Sequence, residues 1–298
     1  MSANQNIPIF FKNNISLCLK RDDLLHPIIS GNKLRKLKYN LEKAKNQNYK
    51  VLLTFGGAFS NHILAVAGAG KEFGFDTIGI IRGEELKEKI TDNPTLLQAQ
   101  QLGMKFIFVS REEYRIKETT EYIEELRNRF GDFYLLPEGG TNQLAIKGCE
   151  EIVTASDSEF THICASVGTG GTIAGIINSS AISQNIIGFS SLKGDFLQKD
   201  ITKFANKQNW TINCDYHFGG YGKVTDELIN FINTFYLEHQ ISLDPIYTGK
   251  MMFGIINLIQ NNYFPPNSKI LAIHTGGLQG IAGMNNALNK KGKTKIIQ

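Results

Sequence analysis

Lys33 follows a Ser30-Gly31-Asn32 turn and opens a run with apolar residues at Leu34, Leu37 and Leu41. That spacing predicts a helix reaching about Lys45. Ser30 or Asn32 is expected to cap it by accepting hydrogen bonds from its first free amides. Lys33 then falls in the first turn, where the helix dipole is positive and an ammonium is disfavoured. A lysine whose pKa is lowered in this way suits imine chemistry, which needs the free amine. Alone it would read as a surface lysine beside a cap, so its partners decide the matter.

Those partners are spread along the chain. Ser166-Val167-Gly168-Thr169-Gly170-Gly171-Thr172 lies between an apolar run and a helical one. Glycines let backbone amides turn toward an anion, and the helix that follows adds positive partial charge, so the stretch is a candidate phosphate cradle. No Gly-Lys-Ser/Thr closes it as in a Walker A loop, and the dinucleotide G-x-G-x-x-G spacing is missing, which argues against a nicotinamide oxidoreductase. Gly56-Gly57-Ala58-Phe59-Ser60-Asn61-His62 is a second junction of this type. Ser60 there reads either as a helix cap or as a hydroxyl beside substrate, and Asn61 as a donor to a cofactor. Tyr247-Thr248-Gly249-Lys250 and His274-Thr275-Gly276-Gly277 are two more polar interruptions. A cradle, a low-pKa lysine and no metal-ligand cluster together point to pyridoxal 5'-phosphate, which offers an aldehyde to the lysine and a phosphate to the loop.

The elements that must position these groups read as α/β. From Val51 onward buried strands alternate with amphipathic helices, the pattern of parallel sheets. Strands are predicted at Val51–Phe55, Thr77–Ile81, Lys105–Val109, Phe133–Leu136, His162–Ala165, Ile186–Ser190 and Ile270–His274. Helices are predicted near Asn61–Phe73, Thr95–Leu102, Glu112–Phe130, Gln143–Ala155, Asp226–Glu238 and Met251–Gln260. Ile7–Phe11 and Ile15–Leu19 read as edge strands or extended packing, and Lys193–Asn213 as polar and irregular. Residues 46–142 form a candidate small α/β domain, with 1–45 and 143–298 making a larger one that carries the cofactor site.

Composition excludes several classes. The 298 residues carry a net charge of +4 with acidic and basic residues interspersed, which gives little support to a nucleic-acid or membrane role. Val51 to Gly70 holds no Asp, Glu, Lys or Arg, but Gly56-Gly57 and Ser60-Asn61-His62 in its middle make it a strand, turn and helix rather than a membrane span. Four scattered cysteines (Cys18, Cys149, Cys164, Cys214) have no metal-ligand spacing and fit a reducing, cytoplasmic setting, as does an N-terminus without signal-peptide character.

The ordered motifs resemble the 1-aminocyclopropane-1-carboxylate deaminase and D-cysteine desulfhydrase family, pyridoxal-phosphate enzymes of the tryptophan-synthase β fold type. The likeness runs through Lys20-Arg21-Asp22-Asp23-Leu24, Gly31 to Leu37, Ser60-Asn61-His62, Pro137-Glu138-Gly139-Gly140, the cradle, Tyr221-Gly222, Tyr247 to Lys250 and His274 to Gly277. Ser30 departs from it, standing where the family usually has a second glycine. The resemblance implies a two-lobed open-sheet α/β architecture, a homodimer and a small amino-acid substrate. It implies that Lys33 joins the cofactor aldehyde, Asn61 bonds its phenolic oxygen and Tyr247 stacks on its ring. Gly168, Thr169, Gly170, Gly171 and Thr172 would take the phosphate, with Thr248 and Thr275 near the pyridine. Ser60, Asn61, His62 and Tyr221 would face substrate, with Lys33, Ser60, Tyr221 and Tyr247 taking part in the chemistry.

Within that family, deaminases look like Tyr-Glu-Gly at the stacking tyrosine, and carry a leucine in the late glycine motif. Desulfhydrases carry hydroxyl residues at both places, as Thr248 and Thr275 do here, and His62 also resembles them. A carboxylate at the pyridine nitrogen would keep it protonated and strengthen the electron sink that ring opening needs, whereas a neutral hydroxyl does so much less. The expected reaction is therefore elimination on a small D-amino acid, D-cysteine to pyruvate, sulfide and ammonia. Cyclopropane deamination, or cofactor binding with little turnover, are the alternatives.

Overall fold

Two sets of apolar strands build two sheets, and alternation along each strand covers both faces of each. The computed structural model describes residues 2–9, 11–194 and 197–298. In chain order the elements are β1 (Asn4–Asn6), β2 (Ser16–Lys20), α1 (Asn32–Asn46), β3 (Val51–Gly56), α2 (Asn61–Phe73), β4 (Asp76–Arg82) and α3 (Pro94–Gln101). Next come β5 (Lys105–Val109), α4 (Thr120–Phe130), β6 (Tyr134–Leu136), α5 (Gln143–Cys149), β7 (His162–Val167), α6 (Gly171–Ser179) and β8 (Asn185–Ser190). The chain finishes with α7 (Leu197–Thr202), β9 (Trp210–Asn213), α8 (Asp226–His239), α9 (Thr248–Gln260), β10 (Lys269–Ile273) and α10 (Gly280–Lys290).

The smaller sheet is parallel throughout, in the order β5-β4-β3-β6. The larger runs β1-β2-β10-β7-β8-β9, parallel except for the edge pair β1–β2. Successive side chains point to opposite faces, so Leu17 and Leu19 join one core while Cys18 between them joins another. Leu52 and Leu53 divide in the same way across the smaller sheet. Both sheets are thus covered on two sides, as parallel sheets require.

Several expectations change, and the Lys193–Asn213 stretch read as irregular holds α7 and β9 among its described residues. No described residue of Ile7–Phe11 is in a strand, which leaves the extended-packing reading: the ladder uses Asn4–Asn6 instead, and Pro8, with no N–H to give, follows its last bond from Ile7 to Leu17. Phe10 of that stretch lies outside the described residues, as do Asp195 and Phe196 of the polar region. The helix predicted over Glu112–Phe130 breaks into a short 3-10 turn, Glu113–Ile116, and α4. Thr119 causes the break by accepting the Tyr122 N–H at the start of α4, 3.3 Å away. The helix predicted to Ala155 ends at Cys149, and Thr154 with Asp157 closes a capping box on the turn after it.

Candidate active site

The turn before Lys33 is built by contact rather than by a side-chain cap. Gly31, with φ of 59°, is the N-cap of α1 and neither Ser30 nor Asn32 caps the helix through its side chain, which corrects the sequence expectation. A Cβ at Gly31 would lie 2.0 Å from the Thr275 carbonyl oxygen, so only glycine lets the turn rest against the end of β10. The Asn32 N–H donates to that same carbonyl at 3.3 Å. Asn32 spends its side chain on the site: Nδ2 donates to Thr172 Oγ1 at 2.7 Å, and Oδ1 accepts from Lys33 Nζ at 3.2 Å.

Lys33 lines a cavity of about 560 Å³ between the two sheets. Enclosure by protein lowers its pKa to about 7, and the Lys36 ammonium adds to the effect. Lys36, three residues on and therefore on the same helix face, is 2% exposed and also reaches the cavity. Its Nζ donates to the Gly139 carbonyl at 2.9 Å, to Thr141 Oγ1 at 3.0 Å and to Thr169 Oγ1 at 3.4 Å. Burial pushes this amine down too.

The cradle follows β7 directly. Gly168, Thr169, Gly170 and Thr172 line the cavity, whereas Gly171 does not. Gly170 holds φ of 81° with Ile201 packed behind it, and a Cβ on Gly168 would come within 3.0 Å of the Tyr247 ring. Backbone amides before α6 and the buried Lys36 ammonium therefore sit on the same wall. Lys36 was not singled out from the sequence, although its i+3 position relative to Lys33 was the available signal.

Ser60, Asn61 and His62 open α2 and all three line the cavity. Ser60 is the cap as well, its Oγ accepting the Ile63 N–H at 3.3 Å. Asn61 is oriented by Gln279, whose Nε2 donates to Asn61 Oδ1 at 2.5 Å, leaving Asn61 Nδ2 as the free donor. His62 is buried and bonded through Nε2 to Thr54 Oγ1 at 2.8 Å, with Thr54 donating onward to the Leu136 carbonyl at 2.9 Å. That network assigns the proton to Nε2 and leaves Nδ1 buried without a hydrogen bond. Burial, then the Lys33 and Lys36 charges, hold His62 neutral, far below its usual range.

Tyr247 and Tyr221 face each other edge to face with ring centroids 6.2 Å apart, and both line the cavity. Thr275 lines it too, 3.2 Å from Ser166 Oγ. Thr248 differs from expectation. It is fully buried and absent from the lining, its hydroxyl donated to Asp244. The Lys20-Arg21-Asp22-Asp23 motif is likewise a brace rather than a lining: Lys20 pairs with Asp157, Arg21 clasps Asp23, and Arg35 of α1 reaches Asp22 at 3.4 Å.

The donor set fits a molecule with an aldehyde at one end and a phosphate at the other. A lysine held near neutral pKa can supply a free amine, while a glycine turn with a buried cation beside it suits a phosphate. No group of His, Cys, Asp and Glu suited to a metal ion occurs among the described residues. No helix among them is long and apolar enough to cross a membrane.

Comparison with known proteins gives the same frame. Residues 3–276 match the family described as pyridoxal-phosphate dependent enzyme. A Pyrococcus horikoshii protein, provisionally named a 1-aminocyclopropane-1-carboxylate deaminase, is 31% identical over 92% of this chain and 90% of its own length. The mitochondrial bifunctional D-cysteine desulfhydrase/1-aminocyclopropane-1-carboxylate deaminase of Arabidopsis thaliana is 31% identical, over 90% of this chain and 74% of its own. A crystal structure of an ACC deaminase homologue superposes with a TM-score of 0.81 at 28% identity, covering 97% of this chain and 92% of that one.

Proposed function

Because this chain belongs to the pyridoxal-phosphate dependent enzyme family, we propose that it catalyses β-elimination on a small D-amino acid, with D-cysteine and water giving pyruvate, sulfide and ammonia. The cofactor is pyridoxal 5'-phosphate, and the chain is a lyase of the deaminase and desulfhydrase group. When bound, the cofactor supplies an electron sink for charge that develops at the substrate α-carbon. Lys33 would hold its aldehyde end, and Asn61 Nδ2 would donate to its ring oxygen. The cradle from Gly168 to Thr172, with Lys36, would hold its phosphate.

The remaining residues have their own work. Lys33 Nζ, as a free amine, would accept the α-proton, and burial, which lowers its pKa to about 7 in the cofactor-free protein, favours that form near neutral pH. Ser60 and the first amides of α2 offer hydrogen bonds to the substrate carboxylate. Tyr221 and Tyr247 stand on one side of the cavity and would offer their hydroxyls to the leaving sulfur.

The observation that carries elimination over ring opening is the neutral hydroxyl pair Ser166–Thr275. Among the described residues Glu138 is the only carboxylate lining the cavity. Hydroxyls hold a pyridine nitrogen protonated less well than a carboxylate, and loss of thiolate needs less electron withdrawal than opening a cyclopropane. The names of the relatives support deamination as the second reading. Purified protein incubated with D-cysteine, L-cysteine and 1-aminocyclopropane-1-carboxylate separates the two. Sulfide with pyruvate from D-cysteine is expected, and 2-oxobutyrate as the main product would replace this reading with deamination.

A further inference from the structure

A second cavity of about 500 Å³ adjoins the first and shares Gly57, Ala58, Arg82 and Glu138 with it. Four cations line it, Arg82, Arg111, Arg115 and Lys117, against two carboxylates. Both carboxylates are engaged, Glu85 with Arg111 at 2.5 Å and Glu138 with Lys117 at 3.3 Å. Arg82 and Arg115 form no ion pair among the described residues, so two guanidinium charges are left over.

Tyr114 lies in the same wall and is 3% exposed. Its ring is fixed by the edge of Phe55 at 6.3 Å, by Arg82 at 5.5 Å and by Lys117 at 4.9 Å. Its hydroxyl is buried with no partner inside hydrogen-bond limits; burial first, and then the neighbouring Glu138 carboxylate, disfavour the phenolate. A buried phenol whose one neighbouring acceptor is a carboxylate already paired with Lys117 can turn its donor to an incoming anion, and here it lies among surplus cations. Guanidinium groups take carboxylates in paired hydrogen bonds, and a phenol hydroxyl adds a third donor.

We propose that this cavity is a subsite for a second carboxylate, carried at the far end of an amino-acid substrate whose reacting end sits at Lys33. The proposal rests on the amino-acid reading above. Arg82 lines both cavities and marks the passage between them. A volume of this size takes several heavy atoms beyond the reacting carbon, which extends the substrate class from cysteine itself to S-substituted cysteines with acidic tails.

The test uses the holoenzyme with S-(2-carboxyethyl)cysteine and its amide, S-(2-carbamoylethyl)cysteine, each in both enantiomers. The two differ by one charge at nearly constant size. Affinity is read by calorimetry and turnover by pyruvate release. The acid is expected to bind only roughly five- to tenfold more tightly than the amide, since Arg82 and Arg115 are exposed to solvent. That ratio is expected to fall toward one in Arg115→Gln and to drop in Tyr114→Phe, with melting temperature confirming that both variants fold. A ratio of one in the wild type, or binding of neither ligand, overturns the subsite. So does inorganic phosphate that binds the cavity yet leaves the ratio unchanged at saturation, because the site then serves a free anion. Preferential binding of the acid without pyruvate from any compound keeps the subsite and removes the lyase reading; pyruvate from both at equal affinity does the reverse.

Discussion

Thr248 donates its hydroxyl to Asp244 Oδ1 across 2.7 Å and accepts the Asp244 backbone N–H in return at 2.9 Å. The same carboxylate takes the N–H groups of Ile246, Tyr247 and Thr248 at 2.8 to 2.9 Å. Asp244 is 1% exposed, and burial raises its pKa while these hydrogen bonds oppose the rise. The knot fixes the backbone on which Tyr247 projects into the cavity.

Thr248 is therefore expected to behave as a structural residue. Thr248→Ala removes one bond to a buried carboxylate and should cost about 1–3 kcal/mol. Thr248→Glu sets a second carboxylate against Asp244 without a cation and should cost more, roughly 3–5 kcal/mol. Urea unfolding measures both. A Thr248→Glu protein as stable as wild type, with its preference shifted to ring opening, would return Thr248 to the cofactor.

Lys33 predicts a pH dependence. In the cofactor-free protein its pKa falls from 10.5 to about 7, so the unfolded chain holds the extra proton between those values. Stability from this group then rises with pH across that window, and below about pH 7 the penalty is fully present. Lys33→Met should stabilise the cofactor-free protein at pH 7, with the advantage shrinking by pH 10. Equal advantage at both pH values would show that the lysine is not desolvated.

Reductive trapping separates the two buried lysines. Borohydride treatment of the yellow holoenzyme followed by peptide mapping should place the cofactor on Lys33. Lys36→Met should still be labelled there, but should need a higher pyridoxal-phosphate concentration because a phosphate cation is lost. Label on Lys36 in the wild type would exchange the two assignments.

Ser60 caps α2 and lines the cavity at once. Ser60→Ala should cost about 1 kcal/mol of stability. If its hydroxyl also serves substrate, kcat/KM per folded molecule should fall at least tenfold with the cofactor still bound. Full turnover in a folded variant leaves Ser60 as a cap alone.

Much of the scaffold was legible in the amino-acid order. The α2 limits Asn61–Phe73 and the β5 limits Lys105–Val109 match the periodicity reading, because both elements are specified by neighbours within a few residues. The glycine turns at 168–171 and the lysine on the first turn of α1 are local features of the same kind. What tertiary structure alone decided are the contacts between distant strand ends. Gly31 rests on the Thr275 carbonyl, Gln279 orients Asn61, and Lys36 is drained of solvent beside Thr169. Thr248 stood in a motif that predicted a cofactor contact, yet its hydroxyl is taken by Asp244, four residues back. Burial and hydrogen-bond partners depend on which segments meet across the two sheets, and periodicity carries no record of that meeting.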